Sequence, residues 1–194
     1  MPDAAAMTPQ QAGDALFAEH LAVRPVLPVR YRPTGEALPD PRRLSAAAER
    51  LLQRLAQIED GQSVEDPEET GPQDLALARI EARLQLLAEQ VAAMARQHEP
   101  ERPEQALHWS ARGLSMTLGA AVSPGDTGVV EIEVADWLPQ PLRLPCRVLA
   151  CADDAGGTRA WLAFDPVTEG LDAALQRHLF RLHRREVAEA RRQR

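Results

Sequence analysis

The chain has 194 residues with 22 basic and 29 acidic side chains, a net charge of −7, enough for one domain of usual size plus an extension. The acidic balance argues against a general nucleic-acid binder, and with no Lys and no Asn every basic side chain apart from five His is Arg. No stretch approaches the roughly 20 apolar residues of a membrane span, and Met1 to Gln11 lacks the basic start and apolar centre of a secretory leader, so a cytoplasmic protein without membrane insertion is expected.

Residues 1–25 form an N-terminal segment that is disordered or partly helical: Met1 to Asp14 is rich in Ala and Pro, and Ala15 to Ala22 suits a short helix. Residues 26–33 follow as a first strand, Val26-Leu27-Pro28-Val29-Arg30-Tyr31, whose prolines suit an edge or a strand start. Pro33 to Pro41 is a turn-rich connector. Residues 41–99 read as an inserted helical region. Its first helix carries Leu44, Ala48, Leu51, Leu55 and Ile58 in alternating steps of four and three. The linker 61–73 is bounded by Gly and Pro and holds Glu65, Asp66, Glu68 and Glu69, the composition of a solvated break. Asp74 suits the N-cap of a second helix, which stops before Pro100.

That second helix carries Leu77, Ile80, Leu84, Leu87, Val91 and Met94. The steps alternate three and four throughout, which is a heptad seam with Leu77, Leu84 and Val91 at a and Ile80, Leu87 and Met94 at d. Leu at a with Ile at d favours three or four strands over two, and the small Ala88 and Ala95 at e suit a bundle that buries its flanks. From Leu77 to His98 the helix spans roughly 33 Å. Each seam residue gains on the order of 1.5–3 kcal/mol on full burial, against about 1–2 kcal/mol per residue for fixing the backbone. The helix therefore needs a partner, either the upstream helix of the same chain or other copies. Seam composition points to copies, and a homo-oligomer, most simply a tetramer, is expected.

Residues 104–190 have the texture of strands. Gln105 to Ser110 and Leu114 to Leu118 flank Gly113, and Gly128 to Ala135 alternates outward Glu131 and Glu133 with inward Val130, Ile132 and Val134. Leu142 to Cys151 and Thr158 to Phe164 are joined by a turn at Asp153 to Gly157. Short antiparallel strands separated by turns suggest a small barrel or sandwich. Leu171, Leu175, Leu179 and Leu182 give a closing helix its apolar face. The expected class is thus α+β: a small antiparallel barrel or sandwich with two long inserted helices and a C-terminal helix.

Cys146 and Cys151 lie five apart in one predicted strand, which sends them to opposite faces as free thiols of a reducing compartment. Neither catalysis nor a metal is expected. Adjacent carboxylates such as Asp153 and Asp154 fall in turns, and His178 and His183 leave one helix face. Ser110 and Ser115 lack a nucleophile-elbow context, and no phosphate-binding loop occurs.

His108-Trp109-Ser110-Ala111-Arg112-Gly113 near the start of the strands, and a Phe164-Asp165 pair before an Arg-rich helix, resemble the PilZ domain. The family pattern is Asp or Asn, any residue, Ser, two of any kind, then Gly. The atypical tetrameric PilZ-like subfamily is the closer match. Its first strand resembles Leu27 to Arg32 and is followed by two long helices, the second with heptads that join four chains. The resemblance covers about residues 26–190. It implies a six-stranded barrel and a place in bacterial cyclic di-GMP signalling, many PilZ domains being receptors for that nucleotide. Departures from the pattern bear on the ligand. Receptors carry an Arg-x-x-x-Arg clamp before the barrel, whereas Arg102 is the only arginine between Gln97 and Trp109, and His108 stands where Asp or Asn would accept from guanine. The reading is a non-catalytic adaptor without a cofactor, acting on a protein partner whose identity the sequence does not disclose. The alternative is a cyclic di-GMP receptor with a noncanonical pocket at Arg30, Arg32, Ser110, Arg112 and Gly113.

Overall fold

A computed structural model describes residues 7–34, 39–61, 80, 83–84, 86–88, 90–91, 93–94, 102–154 and 156–192. The first helix, α1 (Pro9–Phe17), begins earlier than the Ala-rich composition suggested. Thr8 and Gln11 form a reciprocal capping box: Gln11 N–H donates to Thr8 Oγ1 at 3.3 Å, and Thr8 N–H donates to Gln11 Oε1 at 3.0 Å. Pro9 starts the helix without leaving a donor unsatisfied. Ala12 and Leu16, one turn apart, are buried and hold the helix on the barrel. The correction falls within the segment expected to be disordered up to Asp14: capping and two buried contacts outweigh its composition.

Among the described residues, eight strands form one antiparallel sheet: β1 (Ala22–Val23), β2 (Val26–Pro33), β3 (Glu104–Ala106), β4 (His108–Ser110), β5 (Gly113–Leu118), β6 (Thr127–Ile132), β7 (Leu142–Asp154) and β8 (Gly157–Phe164). Their order is β1-β4-β5-β8-β7-β6-β2-β3, curled into a half-barrel. The predicted strand over Gln105 to Ser110 divides at Leu107, because β3 pairs with β2 while β4 pairs with β5 and β1. β2 is not an edge strand. Its first three residues pair with β3 and Val29 to Pro33 pair with β6, so Pro28 falls where the pairing changes sides.

The concave side is the core, filled by Trp109, Leu114, Val130, Ile132, Leu144 and Leu162 among others. The C-terminal helix, α4 (Glu169–Arg192), buries Leu171, Leu175 and Leu179 completely there, with Leu182 packed at the margin. Helix α2 (Pro41–Gly61) lies against β7 and α4. Its buried residues are Leu44, Ser45, Ala48, Leu52, Leu55 and Ala56, and Ile58 is 44% exposed. This stripe is broader than the narrow seam expected through Leu51 and Ile58, as suits a helix laid on both a sheet and a second helix. Residues described as helical at 80, 83–84, 86–88, 90–91 and 93–94 belong to α3. Leu77 and most of the linker 61–73 lie outside the described residues.

A register shift between Val148 and Ala150 changes the predicted placement of the cysteines. Cys146 pairs with Phe164 and Cys151 with Ala160, four residues apart on β8, so both face the same side. Both are free, and burial pushes the Cys146 thiol up to about 12, which keeps it protonated.

Gly113, the last residue of the Ser-x-x-Gly element, sits where β5 crosses β8. A Cβ there would lie 2.1 Å from the Leu162 carbonyl oxygen and 2.8 Å from Leu16 Cδ2. Gly113→Ala is therefore expected to destabilise the fold by about 1–3 kcal/mol, read as a lower urea midpoint at unchanged slope. Gly119→Ala, with nothing within 4 Å, is expected to stay within about 0.5 kcal/mol.

Candidate functional site

Alternation along β6 sends Val130 and Ile132 into the core and Glu131 to the other side, as the sequence indicated. Yet Glu131 is only 1% exposed. Its Cα partners are Arg30 on β2 and Arg143 on β7, so the carboxylate lies between two cross-strand guanidiniums. Arg30 Nη2 donates to Oε2 at 2.5 Å, and Arg102 Nη2 lies 3.6 Å from the same oxygen. Arg143 Nε lies 3.2 Å from Oε1, and Arg32 Nη1 donates to it at 3.4 Å. Arg102 also donates to Glu133 Oε1 at 2.9 Å. Glu131 faces outward as expected, yet four arginines cover that face and bury it. Burial alone would raise the carboxyl pKa, but the Arg30 hydrogen bond and the charges of Arg30, Arg143 and Arg102 outweigh it and hold the pKa below its ordinary value.

The sequence-predicted ligand residues divide between this cluster and a second one. Arg30 and Arg32 stand on Glu131. Ser110, Arg112 and Gly113 stand at the β4–β5 turn beneath α1. Ser110 is fully buried. Its hydroxyl donates to the Leu16 carbonyl at 2.7 Å and accepts from the Arg112 N–H at 3.1 Å, which ties α1 to the turn. The Arg112 side chain is half-exposed, with Nε 3.8 Å from Asp172 Oδ1 on α4. His108, at the position of the family's Asp or Asn, stacks on Phe17 with ring centroids 3.7 Å apart. Burial, then the charges of Arg24 and Arg159, hold its pKa below the usual value, favouring the neutral ring. Ser110 and His108 of this element both contact α1, through the Leu16 carbonyl and the Phe17 ring.

Arg143, Glu131 and Glu133 were not among the predicted site residues, and Arg102 was read as a lone arginine. Period-two spacing of Arg30 and Arg32 was visible, but no local signal pairs β2 with β6 across a hundred residues. His178 is buried against Trp109, ring centroids 5.6 Å apart, and burial lowers its pKa to about 4. Among the described residues no group of three or more His, Cys, Asp or Glu is placed to hold a metal, and no helix is long and apolar enough to cross a membrane.

A family model described as atypical PilZ domain, cyclic di-GMP receptor, matches residues 52–192. The chain belongs to the atypical PilZ family. A crystal structure from Xanthomonas campestris, described as a pathogenic protein revealing a new tetrameric PilZ domain self-assembled via an unusual helical bundle, is similar along nearly the whole length. It is 37% identical with a TM-score of 0.77, covering 93% of this chain and 97% of that one. Curated proteins yield no match. The PilZ family model begins within α2, so Arg30 and Arg32 precede it, whereas Arg102, Glu131 and Arg143 fall inside.

Glu131→Gln removes the central negative charge and one of its two acceptor oxygens while Arg102 and Arg30 stay mostly buried. A loss of about 3 kcal/mol is expected, the low end for a broken buried ion pair, because Arg32 and Arg143 reach water. The depressed carboxyl pKa also fixes a sign. Its stabilising contribution is complete above the ordinary value of 4.5 and is lost as pH falls through the lower folded value. Urea midpoints measured from pH 6 down to pH 3 should fall more steeply for the native chain than for Glu131→Gln.

Proposed function

We propose that this PilZ-family protein is a non-catalytic adaptor in bacterial cyclic di-GMP signalling, assembled from copies of itself through α3 and acting by protein contacts. One observation carries the reading. Ile80, Leu84, Leu87, Val91 and Met94, the described residues of the heptad seam, are helical and 53–64% exposed. Five large apolar side chains at three-four spacing on one helix face are uncovered by their own chain. Helix α2, the intrachain candidate for covering them, has its apolar stripe against β7 and α4 instead. Burial of the seam by other copies removes that surface from water at on the order of 1.5–3 kcal/mol per side chain. The tetramer described for the Xanthomonas protein supports four copies as the assembly here.

A second reading, that of a cyclic di-GMP receptor, is favoured by the description attached to the family model. Its clamp would be Arg30 and Arg32, which are already engaged by Glu131, and the Ser110 hydroxyl is committed to the Leu16 carbonyl and the Arg112 N–H. These engagements support the adaptor.

Light scattering on the intact chain is expected to give about four times the 21.3 kDa of one copy. Leu84→Asp, a charge at the middle of the seam, should reduce the mass to that of one chain; an unchanged mass would count against the bundle. Calorimetric titration with cyclic di-GMP separates the two readings. No micromolar binding is expected, and micromolar affinity abolished by Arg30→Ala with Arg32→Ala would replace the adaptor with the receptor.

A further inference from the structure

Helix α4 runs on past the barrel that its leucines close. Leu171, Leu175 and Leu179 are fully buried, but from His183 to Arg192 every residue is exposed, a stretch of roughly 15 Å. On the side opposite those leucines stand Arg177, Phe180, Arg184, Val187 and Arg191, all exposed and spaced alternately by three and four. Phe180 is 54% exposed and Val187 36%. The arginines recur every seven residues and drift by only about 20° per step on an ideal helix. They form one row, with Phe180 and Val187 beside it.

Charge on this face is of one sign. Arg181 and Arg185 turn toward α2, where Glu59 accepts from both. Arg177, Arg184 and Arg191 have no ion-pair partner among the described residues. Of the carboxylates on α4, Glu186 and Glu189 lie on the leucine side, Asp172 lies beside Arg112, and Glu169 stands about two turns before Arg177. From Arg177 to Arg191 the face therefore carries three positive charges and no negative one, within a chain of net charge −7. The Glu59 ion pairs also hold the helix in place, so the row is presented on a fixed element.

We propose that this face docks an acidic amphipathic helix of a partner protein, whose carboxylates meet Arg177, Arg184 and Arg191 and whose apolar side chains pack on Phe180 and Val187. The inference rests on the adaptor reading and names where that adaptor meets its partner. A three-four row on one helix is the register that another helix reads. Arginine stems add apolar area to it while their guanidiniums bind carboxylates in a bidentate fork. A second copy of the same face is excluded by charge, because it would set arginine against arginine. An anionic membrane calls for a broad apolar face flanked by cations. Here the arginines run along the centre of the exposed side, and its large apolar side chains are Phe180 and Val187.

The test uses the full chain and a fluorescent peptide of about three heptads with Glu at a and Leu at d, beside a control peptide of the same composition in which that spacing is broken. Micromolar binding of the first peptide is expected, roughly tenfold tighter than the control. The triple variant Arg177→Gln, Arg184→Gln, Arg191→Gln should weaken it by roughly tenfold or more, Phe180→Ser should weaken it several-fold, and Arg50→Gln, an exposed arginine of α2, should leave it unchanged. All of these side chains are exposed, so the variants keep the fold. Affinity should also fall several-fold between low and physiological salt. Equal binding of the two peptides, or undiminished binding by the triple variant, overturns the proposal. Phosphatidylserine vesicles bound through the same arginines, with the peptide left unbound, overturn it in favour of a membrane contact. A fall in oligomer mass in the triple variant overturns it in favour of an interface between copies. Cyclic di-GMP titrated into the same samples separates the two levels of the argument. Micromolar nucleotide binding lost in Arg30→Ala with Arg32→Ala overturns the adaptor and the inference with it, whereas unselective peptide binding without nucleotide binding removes the docking face alone.

Discussion

One buried carboxylate joins the parts of this fold that are farthest apart in sequence. Glu131 on β6 receives Arg30 and Arg32 from β2, Arg143 from β7 and Arg102 from the segment before β3. β2 is separated from β3 to β8 by α2 and α3, so its place in the sheet depends on contacts that overcome a long loop closure. Backbone pairing from Val29 to Pro33 supplies the ladder. The arginine–glutamate row adds register, because sliding β2 by one residue would turn Arg30 into the core and leave Glu131 buried without its shortest partner.

The two inserted helices divide the work by the period of their apolar residues. A broad buried stripe, as in α2, suits a surface made of β7 and α4. The described seam residues of α3 instead keep strict three-four spacing and are exposed. Glu59 near the end of α2 accepts from Arg181 at 2.6 Å and from Arg185 at 2.7 Å, fastening α2 to the C-terminal helix. Seam residues of α3 consequently stand uncovered beside a barrel whose own core is complete.

At the β4–β5 turn, residues of the family element make structural contacts with α1. Ser110 and Gly113 form a turn that seats α1, and the Phe17 ring of α1 covers His108. Residue identity at Ser110 and Gly113 would suit a ligand site equally well. What distinguishes the two roles is the helix packed on top, and its sequence, short and rich in Ala and Gln, carries little hydrophobic signal of its own.

Local pattern determined a good deal: the strands from β5 to β8, the leucine face of α4, the heptads of α3 and the PilZ resemblance were all legible, because alternation and helical period are written in consecutive residues. Capping of α1 by Thr8 and Gln11 was missed, because an Ala- and Pro-rich composition up to Asp14 suggested disorder. Only the tertiary structure decided that Glu131 is buried, that Arg102 and Arg143 join Arg30 and Arg32 around it, and that both cysteines share a face. Each of these depends on strand register or a single bulge, and neither leaves a trace in the spacing of neighbouring residues. A charged residue on the outward face of a strand reads as solvated until the strands beside it are known, and here those strands bring arginines.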